Sequence, residues 1–216
     1  MWKLFYLLAI SWCAVAVVPT DQERNDIVEE HATAREGVTP TATNMQLIRY
    51  STELENLAQQ WTNSCSNQAP NSTLFPNRTD VSLTWTSASD GKPTYYSVMV
   101  AFTLGKYYYT YENNSCKNNC RLYLQVVWAN TTEVGCAMSP CNNIRPNSTK
   151  PVYLVACAYR PPGNIEGQRP YKNGTVCQDC PYDFWCYRNQ CTNDTSLLPA
   201  TTYAYDTETA ETFDFF

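Results

Sequence analysis

Histidine is almost absent from this 216-residue chain: His31 is the only one. A metal site built on two imidazoles of one protomer is therefore excluded. A Ser-His-Asp or Cys-His centre would have to rest on that single ring, with a free thiol in the cysteine case. Basic clusters are also missing. Fifteen Lys and Arg face twenty Asp and Glu, giving a formal net charge of −5 and a pI near 4.9. That balance argues against nucleic acid or an anionic membrane surface as a partner. No apolar run reads as a membrane span. Lys3, the short run Leu4–Ile10 and the small residues Ala14 and Ala16 predict a cleaved secretory signal over 1–16, with no stop-transfer segment after it. The end at Thr212–Phe216 is too short for an anchor or a GPI signal.

What is abundant is cysteine. Of eleven, Cys13 leaves with the signal, and the ten that remain suit five disulfides in an oxidising compartment, although spacing does not fix their pairing. Zinc ligation is the alternative reading, against which the signal and the glycosylation sequons both weigh. Seven sequons, at Asn71, Asn77, Asn113, Asn130, Asn147, Asn173 and Asn193, agree with passage through a secretory pathway.

Thr20-Asp21-Gln22-Glu23 has the form of a capping box and predicts a first helix over 21–36. Leu54, Leu57, Ala58 and Trp61 predict a second from about Ser51. Residues 66–92, rich in Asn, Ser, Thr and Pro, read as a long loop with a short strand near Val81–Trp85. A third long helix is expected over 94–109 and a short one over Leu122–Trp128. Strands are expected at Gly135–Met138 and Val152–Tyr159. Residues 169–193 hold four cysteines and little aliphatic content, so they should depend on disulfides. The polar, acidic stretch at 194–216 is expected to be disordered.

Cys120-Arg121-Leu122-Tyr123-Leu124-Gln125-Val126-Val127-Trp128 and Leu154-Val155-Ala156-Cys157-Ala158-Tyr159-Arg160-Pro161-Pro162-Gly163-Asn164 resemble the two signatures of the CAP superfamily (SCP/TAPS), usually close to GHYTQVVW and VCxYxPxGN. His31-Ala32-Thr33-Ala34-Arg35 resembles its H-N-x-x-R stretch. The resemblance is greatest to secreted venom allergen-like proteins of parasites. It implies an α/β fold of the α-β-α sandwich type, with a short, mainly antiparallel sheet between helices. The CAP domain would cover 20–168 and a disulfide-rich hinge 169–193. It also implies the pairs Cys65–Cys141, Cys136–Cys157, Cys116–Cys120, Cys177–Cys186 and Cys180–Cys191.

Many family members carry two histidines and two acids around a central cavity. Residue by residue that set is missing: Leu122 stands for a histidine, Val81 and Gly105 for acids, and no histidine follows Cys65. His31 matches a histidine that the resemblance casts as structural. Acidic residues Glu29, Glu30, Glu53 and Glu55 read as solvated faces near helix N-termini. No catalytic residue, cofactor or metal is expected. Losing the polar cavity set predicts an apolar, roomier interior, and the resemblance suggests two lipid modes. Tyr107, Tyr109 and Tyr111 are candidates for sterol contact, unless they merely end a helix and pack locally. Ile27 and Val28 on the first helix and Val98, Met99 and Phe102 on the third are candidates for a fatty-acid groove. The expected protein is a secreted, non-enzymatic sterol or fatty-acid carrier or scavenger. The competing expectation is an extracellular protein that binds a host protein or receptor.

Overall fold

A computed structural model describes residues 18–66, 68, 79–142, 144–145 and 150–198. The expected signal, most of the acidic tail and the sequons at Asn71, Asn77 and Asn147 lie outside the described residues.

Helix α1 spans Asp21–Glu36, and its capping box forms as the sequence predicts: Thr20 Oγ1 accepts from the Glu23 backbone, and the Glu23 carboxylate accepts from the Thr20 backbone at 2.8 Å. Helix α2, Thr52–Asn63, starts at the N-cap Ser51. The third helix is shorter than expected. α3 covers Tyr95–Thr103, and Leu104–Tyr107 then tighten into a 3-10 turn. β-branched and aromatic side chains hold helix poorly there, and Gly105 permits the change. α4 is Arg121–Val126.

A four-stranded sheet runs in the order β1 (Arg49–Tyr50), β5 (Glu133–Cys141), β6 (Val152–Arg160), β2 (Ser82–Ala88). Only the β1–β5 pair is parallel. Two small antiparallel ladders, β3 (Tyr109–Thr110) with β4 (Ser115–Cys116) and β7 (Trp185–Tyr187) with β8 (Gln190–Thr192), complete the strands among the described residues. The two-residue alternation of β6 builds two cores. Leu154, Ala156 and Ala158 face α2, where they meet Leu54, Ala58 and Trp61. Val155, Cys157 and Tyr159 face the other layer, with Ile27, Val98, Phe102 and Val126. Gly135 shows how closely α2 lies on the sheet: a Cβ there would sit 2.2 Å from the Glu55 nitrogen and 2.4 Å from the Ser51 carbonyl.

The five disulfides join the same pairs that the resemblance implies. The cysteine-rich hinge lies directly on the main domain. Cys191 exchanges backbone hydrogen bonds with Met45 and Leu47, and Arg188 holds Glu29 and Glu36 of α1 at 2.8 Å each. Gln190, Cys191 and Thr192 are buried in that contact.

Candidate functional site

The sole imidazole is part of the core. His31 is fully buried, with Nδ1 2.7 Å from the Ile27 carbonyl and Nε2 3.1 Å from the Tyr159 hydroxyl. A carbonyl can only accept, so Nδ1 carries the proton and Nε2 accepts from Tyr159. Burial, reinforced by the nearby Arg35 charge, pushes the ring down to about 4. With both nitrogens engaged, His31 has no lone pair to offer a metal and no route to a substrate proton.

One turn further along α1, Arg35 is equally buried and donates six hydrogen bonds to five carbonyls, those of Gln46, Val126, Trp128, Ala129 and Thr131. No carboxylate pairs with it among the described hydrogen bonds. Burial draws it down to about 9, so it remains charged at neutral pH. This guanidinium ties α1 to the segment 126–131 that follows the first signature.

The positions expected to line a central cavity do not converge. Leu122 packs against the core between the sheet and α1, whereas Val81 packs on the α2 side. The alternation of β2 explains the split, because Ser82, not Val81, points toward the signature segment. Ser82 Oγ donates to Gln125 Oε1 at 3.0 Å, Gln125 Nε2 donates to Thr131 Oγ1 at 3.2 Å, and Thr131 Oγ1 donates to the Pro161 carbonyl at 2.9 Å. Neutral groups thus satisfy one another there. Nor is the interior roomier at Gly105, where a Cβ would lie 2.6 Å from the Tyr123 Cβ and 3.2 Å from the Cys120 Cα. The missing side chain lets α4 close onto the 3-10 turn.

One of the acids also differs from expectation. Glu55 is buried, not solvated: it receives Arg24 Nε at 2.9 Å and the Tyr50 hydroxyl at 2.7 Å, because the α2 N-terminus is pressed against β5 at Gly135. Glu53, at the rim, pairs with Arg160 at 3.0 Å. Arg160 also grips Glu133, as does Arg49; burial would raise the Glu133 carboxyl, but these hydrogen bonds outweigh it and hold it below the ordinary range.

The sulfurs of Cys177, Cys180 and Cys191 lie within 4.8 Å of one another. All three are in disulfides, so none is a thiolate able to bind metal. The four described sequon asparagines, Asn113, Asn130, Asn173 and Asn193, are all exposed.

The fatty-acid candidates fall in a closed part of the molecule. Ile27, Val98, Met99 and Phe102 are core residues where α1 packs on α3, and only Val28 is partly exposed. They line packed core, not an open groove.

The tyrosine segment grades from surface to interior. Tyr107 is 72% exposed, Tyr109 is half-buried and Tyr111 is 8% exposed. Tyr109 meets Tyr111 at 6.4 Å and Tyr123 at 6.3 Å, while Tyr111 stacks on Tyr171 at 4.9 Å. Tyr111 donates its hydroxyl to the Tyr171 carbonyl, Tyr109 to Asn114, and Arg169 lies over the Tyr111 ring. Tyr171 is the exception: its hydroxyl is buried and has no hydrogen-bond partner among the described residues. Burial among these rings raises both phenols, Tyr109 to about 12 and Tyr171 further. Beside Tyr171, a cleft of about 250 Å³ opens between Asn44, Trp128 and the strap 168–172. Sequence reading missed Tyr123 and Tyr171, because their place in the cluster depends on α4 and on a strap roughly sixty residues from Tyr111. It also missed Tyr96 and Leu104, which are exposed; the lack of any charged residue in α3 was the available signal.

Comparison with known proteins agrees with this architecture. The profile of the CAP: Cysteine-rich secretory protein family matches residues 28–159. The mouse (Mus musculus) Cysteine-rich secretory protein LCCL domain-containing 1 is 33% identical over 186 residues, covering 80% of this chain and 37% of that protein. The bovine (Bos taurus) Peptidase inhibitor 16 is 29% identical over 181 residues, covering 80% and 36% respectively. The chain thus spans little more than a third of these curated relatives. Among solved structures, Schistosoma mansoni venom allergen-like protein 4 (SmVAL4) superposes with a TM-score of 0.58 at 24% identity, over 72% of this chain and 97% of that one, which shows a shared fold.

Proposed function

Because the chain belongs to the cysteine-rich secretory protein (CAP) family, we propose that it is a secreted, non-enzymatic lipid-binding protein that receives a sterol at the corner formed by Tyr107, Tyr109 and Tyr111. The observation that carries this reading is the unpartnered, buried Tyr171 hydroxyl behind that corner. A hydroxyl buried without a partner costs about 1–3 kcal/mol, and a mostly apolar ligand bearing one hydroxyl would supply the missing bond. The exposed ring of Tyr107 and the half-buried ring of Tyr109 offer the apolar contact that a fused-ring body needs.

A non-enzymatic role is supported by the burial of His31 with both ring nitrogens occupied and by the neutral Ser82–Gln125–Thr131 network beside the first signature. Secretion is supported by the expected signal at 1–16, the ten-cysteine framework and the exposed sequons. Fatty-acid binding at Ile27, Val28, Val98, Met99 and Phe102 would require α1 and α3 to part, so sterol is the reading the geometry favours.

Binding of a fluorescent sterol, delivered from cyclodextrin, tests the proposal. Tyr109→Ser should weaken binding by about 1–3 kcal/mol through lost aromatic contact. Tyr171→Phe should weaken binding of a hydroxylated sterol about tenfold while leaving its 3-deoxy analogue unaffected. Absence of sterol binding by the unmodified protein at micromolar concentration would sink the proposal.

A further inference from the structure

The outer face of α3 and of the 3-10 turn after it is apolar and open. Tyr96, Leu104, Tyr107 and Tyr108 are between 42% and 72% exposed. Residues three apart eclipse in a 3-10 turn, so Leu104 and Tyr107 share one side, and Tyr96 is exposed near the start of the helix that leads into that turn. No charged side chain occurs from Tyr95 to Leu104. A soluble helix normally presents charge on its outer face, and a contiguous exposed apolar patch marks a surface that meets something.

The border of the patch has the opposite charge balance to the chain as a whole. Lys106 Nζ lies 5.1 Å over the Tyr107 ring, and Lys117 is held beside the turn by its backbone N–H, which donates to the Tyr108 carbonyl at 2.9 Å. Arg121 opens α4 directly after Cys120, whose Cα abuts Gly105. From Leu104 to Arg121 three cations, Lys106, Lys117 and Arg121, stand against Glu112 alone, whereas the chain carries −5 overall. The net charge hides this local reversal.

We propose that this face docks the protein on an anionic lipid bilayer, with Leu104 and Tyr107 entering the boundary between headgroups and acyl chains and the flanking cations meeting the headgroups. Apolar side chains on one face, tyrosine at the rim and adjacent Lys and Arg are what an interfacial membrane contact requires. The idea rests on the lipid-binding reading for its purpose: Tyr107 belongs both to this face and to the proposed sterol corner, so docking would set the corner against the bilayer that supplies the ligand.

Co-sedimentation of the full chain with phosphatidylcholine vesicles, with and without phosphatidylserine, tests it. The protein should partition onto the phosphatidylserine vesicles, less in high salt and little onto phosphatidylcholine alone. Leu104→Asp should reduce partitioning by about tenfold or more, and Lys117→Glu should do so chiefly on the anionic vesicles. Both side chains are exposed, so near-ultraviolet circular dichroism should stay unchanged. No partitioning, equal partitioning on both vesicle types, or full partitioning of the Leu104→Asp variant would each overturn the proposal. Sterol delivered from cyclodextrin bypasses docking. Loss of vesicle binding with sterol uptake intact therefore sinks the docking surface alone, and the reverse sinks the sterol reading alone.

Discussion

Arg35→Lys is the sharpest single perturbation of this fold. Arginine here uses Nε, Nη1 and Nη2 to reach five carbonyls at 2.7–3.1 Å, four of them buried and that of Gln46 part-buried. Lysine keeps the charge but has three donors on one nitrogen, so at least two of the five carbonyls lose this partner. Each buried acceptor left short costs about 1–3 kcal/mol. The Trp128 and Ala129 carbonyls also accept backbone N–H groups, from Thr131 and Gln46, which places the expected loss in the lower half of the range, at about 2–4 kcal/mol. Urea denaturation with the disulfides intact measures it. With a slope of about 2 kcal/mol per molar urea, the midpoint should fall by about 1–2 M with the slope unchanged. A loss below about 1 kcal/mol would refute the reasoning, because the carbonyls would then have found water or the lysine would have replaced the fork.

Stability should also fall on acidification because of His31. Its folded pKa of about 4 lies below the unfolded 6.5, so its neutral form stabilises the fold above pH 6.5. That contribution is lost as pH drops through the window between the two values, by at most about 3 kcal/mol. The urea midpoint from pH 7 to pH 4 reports this, and a profile no steeper than that of His31→Gln would contradict it. Gly135→Ala should destabilise by about 3 kcal/mol or more, since the added methyl meets α2 backbone at 2.2 Å and nothing flexible can yield; a thermal midpoint within a degree or two of the parent would count against that packing. Zinc should give no stoichiometric heat in calorimetry with the monomer, since the second imidazole such a site requires is missing, and a sub-micromolar site mapping to Leu122 and Gly105 would defeat that reading.

Local chemistry alone determined the elements whose signals are self-contained. The α1 start follows from Thr20 and Glu23 satisfying each other's backbone within one turn, the α2 start from Ser51 and a one-sided apolar stripe, and the β6 face pattern from simple alternation. The disulfide pairs came from the family resemblance, since ten cysteines permit many pairings and spacing chooses none.

The tertiary structure decided everything that depends on two distant segments meeting. A histidine and an arginine four residues apart on one helix read as local features. Only packing made one a neutral core group bonded to Tyr159 and the other the donor to five carbonyls. Glu55 looked solvated because nothing near it in the chain foretold Arg24 above it, and Val81 looked like a cavity residue until β2 pairing turned Ser82 inward. In the tyrosine segment the residue types were legible, but depth was not. Whether a ring is bare like Tyr107 or stacked like Tyr111 depends on the strap that brings Tyr171 across from far along the chain, and burial is a property of that meeting of segments.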